Sequence, residues 1–170
     1  MGKYATRKNW ARYGATAYLA APPELGATGS VAPGALLGVY SCHHGKLFAP
    51  GNLRAAATNP GYADLISHWQ RAKYTLRYTG GLVPDIYQQF TKNQGVFANP
   101  TSDSSPAKLR LAFEAAPFGL LVEKAGGKTS DGVTGGSILD VEITAVDQRT
   151  ALCIGSANEV DRFNKVVLEK

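Results

Sequence analysis

A chain of 170 residues with 44% hydrophobic and 18% charged residues is long enough to bury a core, and this composition excludes a disordered chain. The net charge of +5 favours an anionic partner, but Lys and Arg are scattered among acids without the basic runs typical of nucleic-acid binders. Every long apolar run is interrupted by Gly, Pro or a charge within a few positions, which excludes a membrane span. We therefore expect neither nucleic acid nor a membrane as partner, and a phosphorylated small molecule fits the charge as well as a polymer does.

The first 37 residues differ in character from the rest of the chain. They are rich in Ala, Gly and Pro and show no persistent hydrophobic period of 2 or 3.6. We predict a poorly ordered arm at residues 1–37, with a weak transit-like segment and an irregular start of the gene model as alternatives. Residues 38–170 are predicted to form one compact domain.

The cysteine content indicates the compartment. Cys42 and Cys153 are too few for a disulfide framework, and their spacing is not that of a zinc site. A reducing, intracellular compartment is the default for such a chain. The sequence has no N-x-[ST] sequon, which agrees with a protein that is not secreted.

From residue 36 onward, short extended runs alternate with helical patterns. Strands are predicted at residues 36–40, 74–78, 95–97, 109–113 and 151–154. Helices are predicted at residues 62–73 and 83–91, from near Ala115 to Ala125, and after Ser156. Asn59-Pro60-Gly61 predicts a turn, and Ser156 with Glu159 predicts a capping box. The alternation favours an α/β layered domain.

Glu114 is the most informative residue of the sequence. Together with Arg110 it interrupts an otherwise apolar stretch at residues 109–122, and a buried carboxylate is costly unless it is paired or binds a metal. Pro117 belongs in a first helical turn, which places Glu114 at the mouth of a helix just beyond a strand, a usual position for ligand groups. Two interpretations remain open: a metal or ligand site, and a structural ion pair between Arg110 and Glu114.

Other polar residues could contact an anionic ligand, but each also has an ordinary interpretation. Arg77 and Tyr78 precede Gly80-Gly81, so a guanidinium, a hydroxyl and open backbone N–H groups could bind phosphate, or the segment is a simple strand end and turn. Lys108 could meet a phosphate or remain solvated. Asn52 could orient a ligand or stabilise its own turn.

Several segments together resemble the class I fructose-1,6-bisphosphatase family, in unbroken order over residues 38–168. They are GKLFAPGNLR at residues 45–54, KYTLRYTGGLVPD at 73–85, KLRLAFEAAP at 108–117, AGG at 125–127 and ILD at 138–140. Within the family, Thr79-Gly80-Gly81 and Ser130-Asp131-Gly132 are more similar to the branch that acts on sedoheptulose 1,7-bisphosphate. The resemblance implies the sugar-phosphate-binding half of the sugar-bisphosphatase fold, a layered mixed sheet with flanking helices.

The resemblance also implies a role for each candidate residue in the Mg²⁺-dependent hydrolysis of a sugar bisphosphate. Glu114 matches a metal-ligand Glu, and Arg110 matches an Arg near the transferred phosphate. The residues that match contacts to the remaining phosphate and the sugar are Asn52, Arg77, Tyr78, Lys108, Gly81 and Leu82. Arg77 would reach a neighbouring subunit, which implies a homo-oligomer or docking onto a family subunit. A chloroplast stromal enzyme of the Calvin cycle is implied, with the cytoplasm as the alternative.

The metal-binding half of the family pattern is missing from these 170 residues. There is no D-P-[LIV]-D-G sequence and no metal-binding Glu upstream of it. Mg²⁺ is usually bound through several oxygens in near-octahedral geometry, which Glu114 alone does not provide. We therefore expect Mg²⁺ to need ligands from an N-terminal half and the isolated chain to be nearly inactive. The alternatives are a non-catalytic sugar-phosphate-binding or docking subunit, and a portion of a fructose-1,6-bisphosphatase.

Overall fold

A mixed β-sheet lies at the centre of the structure, a computed structural model that describes residues 43–169. The predicted arm, the strand predicted at residues 36–40 and Cys42 lie outside the described residues. In chain order the strands are β1 (His43–Pro50), β2 (Thr75–Leu76), β3 (Gln94–Asn99), β4 (Leu109–Arg110), β5 (Lys128–Ser130), β6 (Arg149–Thr150) and β7 (Leu152–Gly155).

The central sheet has the strand order β2-β1-β3-β7-β5. Strands β1, β2 and β3 are parallel to one another, whereas β7 is antiparallel to both β3 and β5. Strands β4 and β6 form a separate antiparallel pair. The parallel part of the sheet therefore carries its three carboxyl ends on one edge.

Four α-helices flank the sheet within residues 43–169. They are α1 (Pro60–Arg71), α2 (Leu82–Lys92), α3 (Ala116–Lys124) and α4 (Ala157–Phe163), with short 3-10 turns at Leu53–Ala57 and Ile138–Asp140 and π-helical turns at Leu111–Ala115 and Asn164–Leu168. No helix in this part of the chain is long and apolar enough to cross a membrane.

The two faces of the sheet bury two separate apolar clusters, because successive strand residues point to opposite sides. One cluster joins Ala49, Phe97 and Ile154 of the strands to α2 and α3. The other joins Phe48, Val96 and Cys153 to α1 and α4. The predicted α/β class, with a layered mixed sheet and flanking helices, is confirmed.

Helix α1 begins earlier than the sequence pattern predicted. The Asn59 side chain accepts a hydrogen bond from the backbone N of Tyr62 at 2.9 Å, and Pro60 occupies the first helical position. The turn predicted at Asn59-Pro60-Gly61 is therefore wrong: Asn59 caps the helix, and a Pro that lacks an N–H suits its first position. The helical spacing is confirmed, since Leu65 and Trp69 are fully buried.

The extended run predicted at residues 109–113 is correct only for Leu109 and Arg110. The Glu114 carboxylate accepts a hydrogen bond from the backbone N of Arg110 at 2.6 Å, so the chain turns back on itself there. A π-helical turn follows from Leu111 to Ala115 and leads directly into α3.

The predicted capping box at α4 is wrong. The Ser156 hydroxyl makes no cap hydrogen bond to α4 and instead contacts the backbone N and O of Gly95. Glu159 is fully buried, and its carboxylate accepts hydrogen bonds from Trp69 Nε1 at 2.7 Å and the Tyr74 hydroxyl at 2.9 Å. Burial, followed by the bond to Glu159, raises the pKa of Tyr74 to about 12. The acid predicted to cap a helix therefore joins α4 to α1 inside the core.

Candidate functional site

The carboxyl ends of the parallel strands bring three segments to one edge of the sheet. Asn52 follows β1, Arg77 follows β2, and the loop at residues 100–107 follows β3 and leads to Lys108. Ligands of open α/β sheets bind in the crevice outside the carboxyl ends of the strands. Four of the predicted ligand contacts therefore lie in segments that follow the carboxyl ends of the parallel strands: Asn52, Arg77, Tyr78 and Lys108.

The Asn52 side chain stabilises the loop that leads to Lys108 through hydrogen bonds. Its Nδ2 donates hydrogen bonds to the backbone O of Pro100 and of Ser105, both at 2.8 Å, and its Oδ1 accepts one from the Ser105 hydroxyl at 2.7 Å. The backbone of Asn52 is left-handed, with φ of 47°, a conformation that Asn tolerates better than most residues. Both amide hydrogens are therefore used within the protein, so a contact from Asn52 to a ligand requires one of these bonds to exchange.

The segment from Arg77 to Leu82 is held at both ends. The backbone N of Arg77 donates to the backbone O of Phe48 at 2.9 Å, which extends the pairing of β2 with β1. The side chains of Arg77 and Tyr78 are exposed, and Gly81 and Leu82 form the start of α2. Both predicted side-chain contacts are therefore open to a ligand, and both predicted backbone contacts lie at a helix N-terminus.

Asp85, which was not among the site residues predicted from the sequence, holds this segment. Its fully buried carboxylate accepts hydrogen bonds from the backbone N of Thr79 at 2.7 Å and of Gly80 at 3.2 Å. The sequence pattern that could have indicated Asp85 is an acid in the first turn of a helix that follows Gly80-Gly81. Unpaired backbone N–H groups at a helix N-terminus favour a carboxylate there. Asp85 thereby fixes the backbone next to Tyr78 and Gly81.

The Asp85→Asn variant is expected to be less stable than the wild type by about 1–3 kcal/mol, because the amide nitrogen that replaces one carboxylate oxygen cannot accept a backbone N–H group. Urea unfolding measures this loss, and amide exchange at Thr79 and Gly80 should accelerate at the same time. Asp103→Asn, an exposed site in the loop at residues 100–107, is the matched control and should leave both quantities unchanged. An Asp85→Asn protein with wild-type stability and unchanged exchange would contradict the role of Asp85.

A buried tyrosine, Tyr62, joins the ends of β1 and β3. The Tyr62 hydroxyl lies 2.8 Å from the backbone O of Gly51 and 3.2 Å from that of Ala98. Burial raises the pKa of Tyr62 well above its usual range, and Cys153 and Tyr78 nearby add to the rise. Tyr62 is therefore a neutral donor that ties the backbone next to Asn52.

Arg110 and Glu114 form the ion pair that one of the two interpretations predicted. The Arg110 Nη1 lies 3.6 Å from the Glu114 Oε1, and the guanidinium lies 5.8 Å from the centre of the Phe113 ring. The Glu114 side chain is 29% exposed, so it is not buried as the apolar context suggested. The π-helical turn explains this, because it buries Leu111 and Ala115 and leaves Glu114 partly open to solvent. The partly exposed Glu114 carboxylate is also accessible enough to act as a metal ligand.

A complete metal site is not formed by the described residues. Within residues 43–169 no group of three or more His, Cys, Asp or Glu side chains could hold a metal ion. Glu114 offers one carboxylate, whereas Mg²⁺ usually takes several oxygens. Glu114 can therefore supply one of the ligands of a metal ion, and the other ligands would have to come from outside residues 43–169.

Lys108 follows the loop at residues 100–107, and Thr101 and Ala107 of this loop line a cleft. The Lys108 side chain is exposed, and its backbone O accepts a hydrogen bond from the Arg149 guanidinium. A cleft of about 480 Å³ lies between the loop at residues 100–107 and the loop that begins at Asp131, and no predicted site residue lines it. The Asp131 carboxylate accepts three backbone N–H groups of its own loop, so it has little capacity left for a ligand.

Comparison with known proteins identifies the family. Residues 42–168 match the family described as Fructose-1-6-bisphosphatase, C-terminal domain. Because this match covers most of the chain, the chain belongs to the fructose-1,6-bisphosphatase family.

Two kinds of relative are similar to the chain. The chloroplastic sedoheptulose-1,7-bisphosphatase of Spinacia oleracea is 52% identical over 125 residues, which are 74% of this chain and 32% of the relative. The class 1 fructose-1,6-bisphosphatase of Geobacter sulfurreducens is 41% identical over 117 residues, which are 68% of this chain and 36% of the relative. The chain thus spans about a third of the length of these curated relatives.

Solved structures agree with this assignment. A crystal structure from Toxoplasma gondii, described as a candidate sedoheptulose-1,7 bisphosphatase, is 52% identical, with a TM-score of 0.72 over 75% of this chain and 41% of that chain. The apo fructose-1,6-bisphosphatase of Leishmania major is 33% identical, with a TM-score of 0.63 over 72% of this chain and 40% of that chain. The sheet with its flanking helices is therefore the fold of this family.

Proposed function

We propose that this chain is the sugar-phosphate-binding half of a sugar bisphosphatase that converts sedoheptulose 1,7-bisphosphate to sedoheptulose 7-phosphate and phosphate. The observation that carries the proposal is the shared sheet edge, where three parallel strands deliver Asn52, Arg77 with Tyr78, and the loop to Lys108. The higher identity to the sedoheptulose-1,7-bisphosphatase relatives than to the fructose-1,6-bisphosphatases supports the choice of sugar.

The proposed roles divide the site residues between the two ends of the substrate. Arg77, Tyr78, Lys108 and Asn52 hold the phosphate that remains on the sugar, through guanidinium, hydroxyl, ammonium and amide donors. The backbone of Gly81 and Leu82, at the N-terminus of α2, lies beside the sugar. Glu114 binds the metal. Arg110 neutralises the phosphate that leaves, because its guanidinium can contact the Glu114 carboxylate and a phosphate at the same time.

Mg²⁺ is the proposed cofactor, with Glu114 as the ligand from these residues and the other ligands from the region of the relatives upstream of the match. Bound Mg²⁺ neutralises phosphoryl oxygens and lowers the pKa of a coordinated water. The contacts with the Arg110 guanidinium and backbone N hold the Glu114 carboxylate in place for that purpose.

The proposed setting is the chloroplast stroma, because the spinach and Chlamydomonas reinhardtii relatives are described as chloroplastic. Residues 38–170 are proposed as the C-terminal domain and residues 1–37 as a separate arm. The exposed Arg77 side chain is proposed to act across a boundary with a second copy or with another subunit of the family.

A non-catalytic subunit is the second candidate, favoured by the single metal-ligand carboxylate among the described residues. It would bind a sugar phosphate or dock on a longer relative without hydrolysing a bisphosphate itself. A fructose-1,6-bisphosphatase portion is the third candidate, supported by the Geobacter sulfurreducens relative.

A completed enzyme separates these candidates. The upstream region of the spinach relative is joined in frame to residues 43–170, and Mg²⁺-dependent phosphate release is measured with both bisphosphates. Faster release from sedoheptulose 1,7-bisphosphate supports the proposal, and faster release from fructose 1,6-bisphosphate supports the third candidate. A folded fusion that binds sedoheptulose 7-phosphate but hydrolyses neither substrate supports the non-catalytic subunit.

A further inference from the structure

Asn99 carries a buried polar atom that the fold leaves without a partner. The residue is only 8% exposed, and within residues 43–169 its Oδ1 accepts no hydrogen bond. Leaving a buried acceptor unpaired is costly, so an unsatisfied group in a folded protein calls for a specific explanation. A ligand that donates a hydrogen bond is one such explanation.

The position of Asn99 agrees with a ligand. It is the last residue of β3, at the edge where the three parallel strands end. A Cβ built on Gly51 would lie 3.1 Å from the Asn99 Cβ, so the side chain packs against the backbone that leads to Asn52. The next residue, Pro100, accepts a hydrogen bond from Asn52. Asn99 is therefore a neighbour of a proposed phosphate contact.

The side chain of Asn99 also lies on the face of the sheet that packs against α2 and α3. Phe97, two residues earlier in β3, belongs to the cluster that contains Leu111 and against which Leu82 packs. Side chains two positions apart in a strand share a face. Asn99 thus continues this face beyond Phe97, at the carboxyl end of β3.

Within residues 43–169, the Gln89 side chain is also buried and has no hydrogen-bond partner, but its position differs. Its Oε1 lies 2.9 Å from the place that a Cβ on Gly155 would occupy, next to Gly95 at the beginning of β3. That end of the parallel strands is opposite to the one where ligands of open α/β sheets bind. Among the described residues, Asn99 is therefore the one that combines an unpaired buried atom with the carboxyl ends of the parallel strands.

We propose that the Asn99 Oδ1 accepts a hydrogen bond from a hydroxyl of the bound sugar phosphate and so helps to determine which ligand is bound. This inference rests on the function proposed above. An amide oxygen needs a donor as its partner, and a phosphate dianion or a sulfate has no hydrogen to donate. Asn99 would therefore recognise a hydroxyl of the sugar, whereas Arg77 and Lys108 recognise the negative charge of the phosphate.

The test compares two ligands on the full chain by NMR titration. Sedoheptulose 7-phosphate carries hydroxyls, whereas n-butyl phosphate carries only the phosphate. Asn99→Leu should weaken sedoheptulose 7-phosphate binding about tenfold, as expected for one lost hydrogen bond to a buried amide, and leave n-butyl phosphate binding unchanged. Its unfolding midpoint in urea should be equal to or higher than that of the wild type, because an unpaired acceptor has been removed.

Asn164→Leu is the matched control. Asn164 also has an unpaired Oδ1, but its Nδ2 donates to the backbone O of Gly135, away from the parallel strand ends. This variant should lose stability and keep both affinities.

Two results would overturn the inference. Equal sedoheptulose 7-phosphate affinity in the wild type and Asn99→Leu would refute it while leaving the proposed function intact. A lower unfolding midpoint for Asn99→Leu, with both ligands weakened alike, would assign Asn99 a structural role. If the wild type binds both ligands equally, the proposed function itself fails and the role of Asn99 falls with it.

Discussion

The Glu114→Ala variant of the completed enzyme is expected to release phosphate at least about a thousandfold more slowly than the parent fusion. A metal ion contributes several kcal/mol to the stabilisation of charge in such a transition state, and each 1.36 kcal/mol is about a factor of ten in rate. Glu114 is the partly open carboxylate beside Arg110 at the mouth of α3. Steady-state assays over a range of Mg²⁺ concentrations measure the effect.

Glu142→Ala, which changes an exposed acid, is the control and should retain full activity. Glu114→Gln keeps an oxygen that can accept from the Arg110 backbone N, so it separates loss of metal binding from loss of the local turn. The 170-residue chain without the upstream region should release no phosphate. Mg²⁺-dependent release by that chain, abolished by Glu114→Ala, would contradict the assignment of the missing metal ligands to another region.

The Trp69→Ala variant is expected to lose about 3–5 kcal/mol of stability, which is a large part of the total for a small domain. Trp69 is fully buried, packs 5.0 Å from the Phe48 ring centre and donates to the buried Glu159 carboxylate. Truncation leaves both a cavity and a carboxylate that has lost a donor. Urea unfolding followed by circular dichroism measures the loss.

Trp69→Phe separates the two contributions of the indole. It keeps most of the ring volume but removes the Nε1 donor, so an intermediate loss of about 1–3 kcal/mol is expected. A Trp69→Ala protein that unfolds at the same urea concentration as the wild type would show that the contact between α1 and α4 contributes little.

The alternation of strands and helices was predictable from the sequence because it depends on local pattern. Leu65 and Trp69 recur at helical spacing, and the apolar run at residues 151–154 is bounded by Thr150 and Gly155, so α1 and β7 were both predicted. The helix predicted from near Ala115 to Ala125 agrees with α3, but the turn that precedes it at residues 111–115 was not predicted. The Glu114 side chain contacts the Arg110 backbone where residues 111–115 form a π-helical turn. Such a contact leaves no periodic pattern in the sequence.

The candidate site residues were chosen from the sequence, but the hydrogen bonds that they form were not predictable from it. Short motifs indicated Asn52, Arg77 and Lys108, yet a sequence does not show that both amide hydrogens of Asn52 are used by Pro100 and Ser105. The role of Glu159 was mispredicted for a related reason. Its spacing from Ser156 fits a capping box, but two donors distant in sequence, Trp69 and Tyr74, compete for the carboxylate and bind it.

The measurement that tests the central claim most directly is an NMR titration of this chain with sedoheptulose 7-phosphate and with inorganic sulfate. If residues 43–169 gather a sugar-phosphate site without the metal half, the sugar phosphate should shift the resonances of Asn52, Tyr78 and Gly81 more than sulfate does. Two or three charge-assisted contacts in an open site predict weak binding, on the order of millimolar. Lys108→Ala should weaken the response and leave the fold intact. Equal responses to sulfate and to the sugar phosphate would mean general anion attraction and would contradict a site built by this half of the fold.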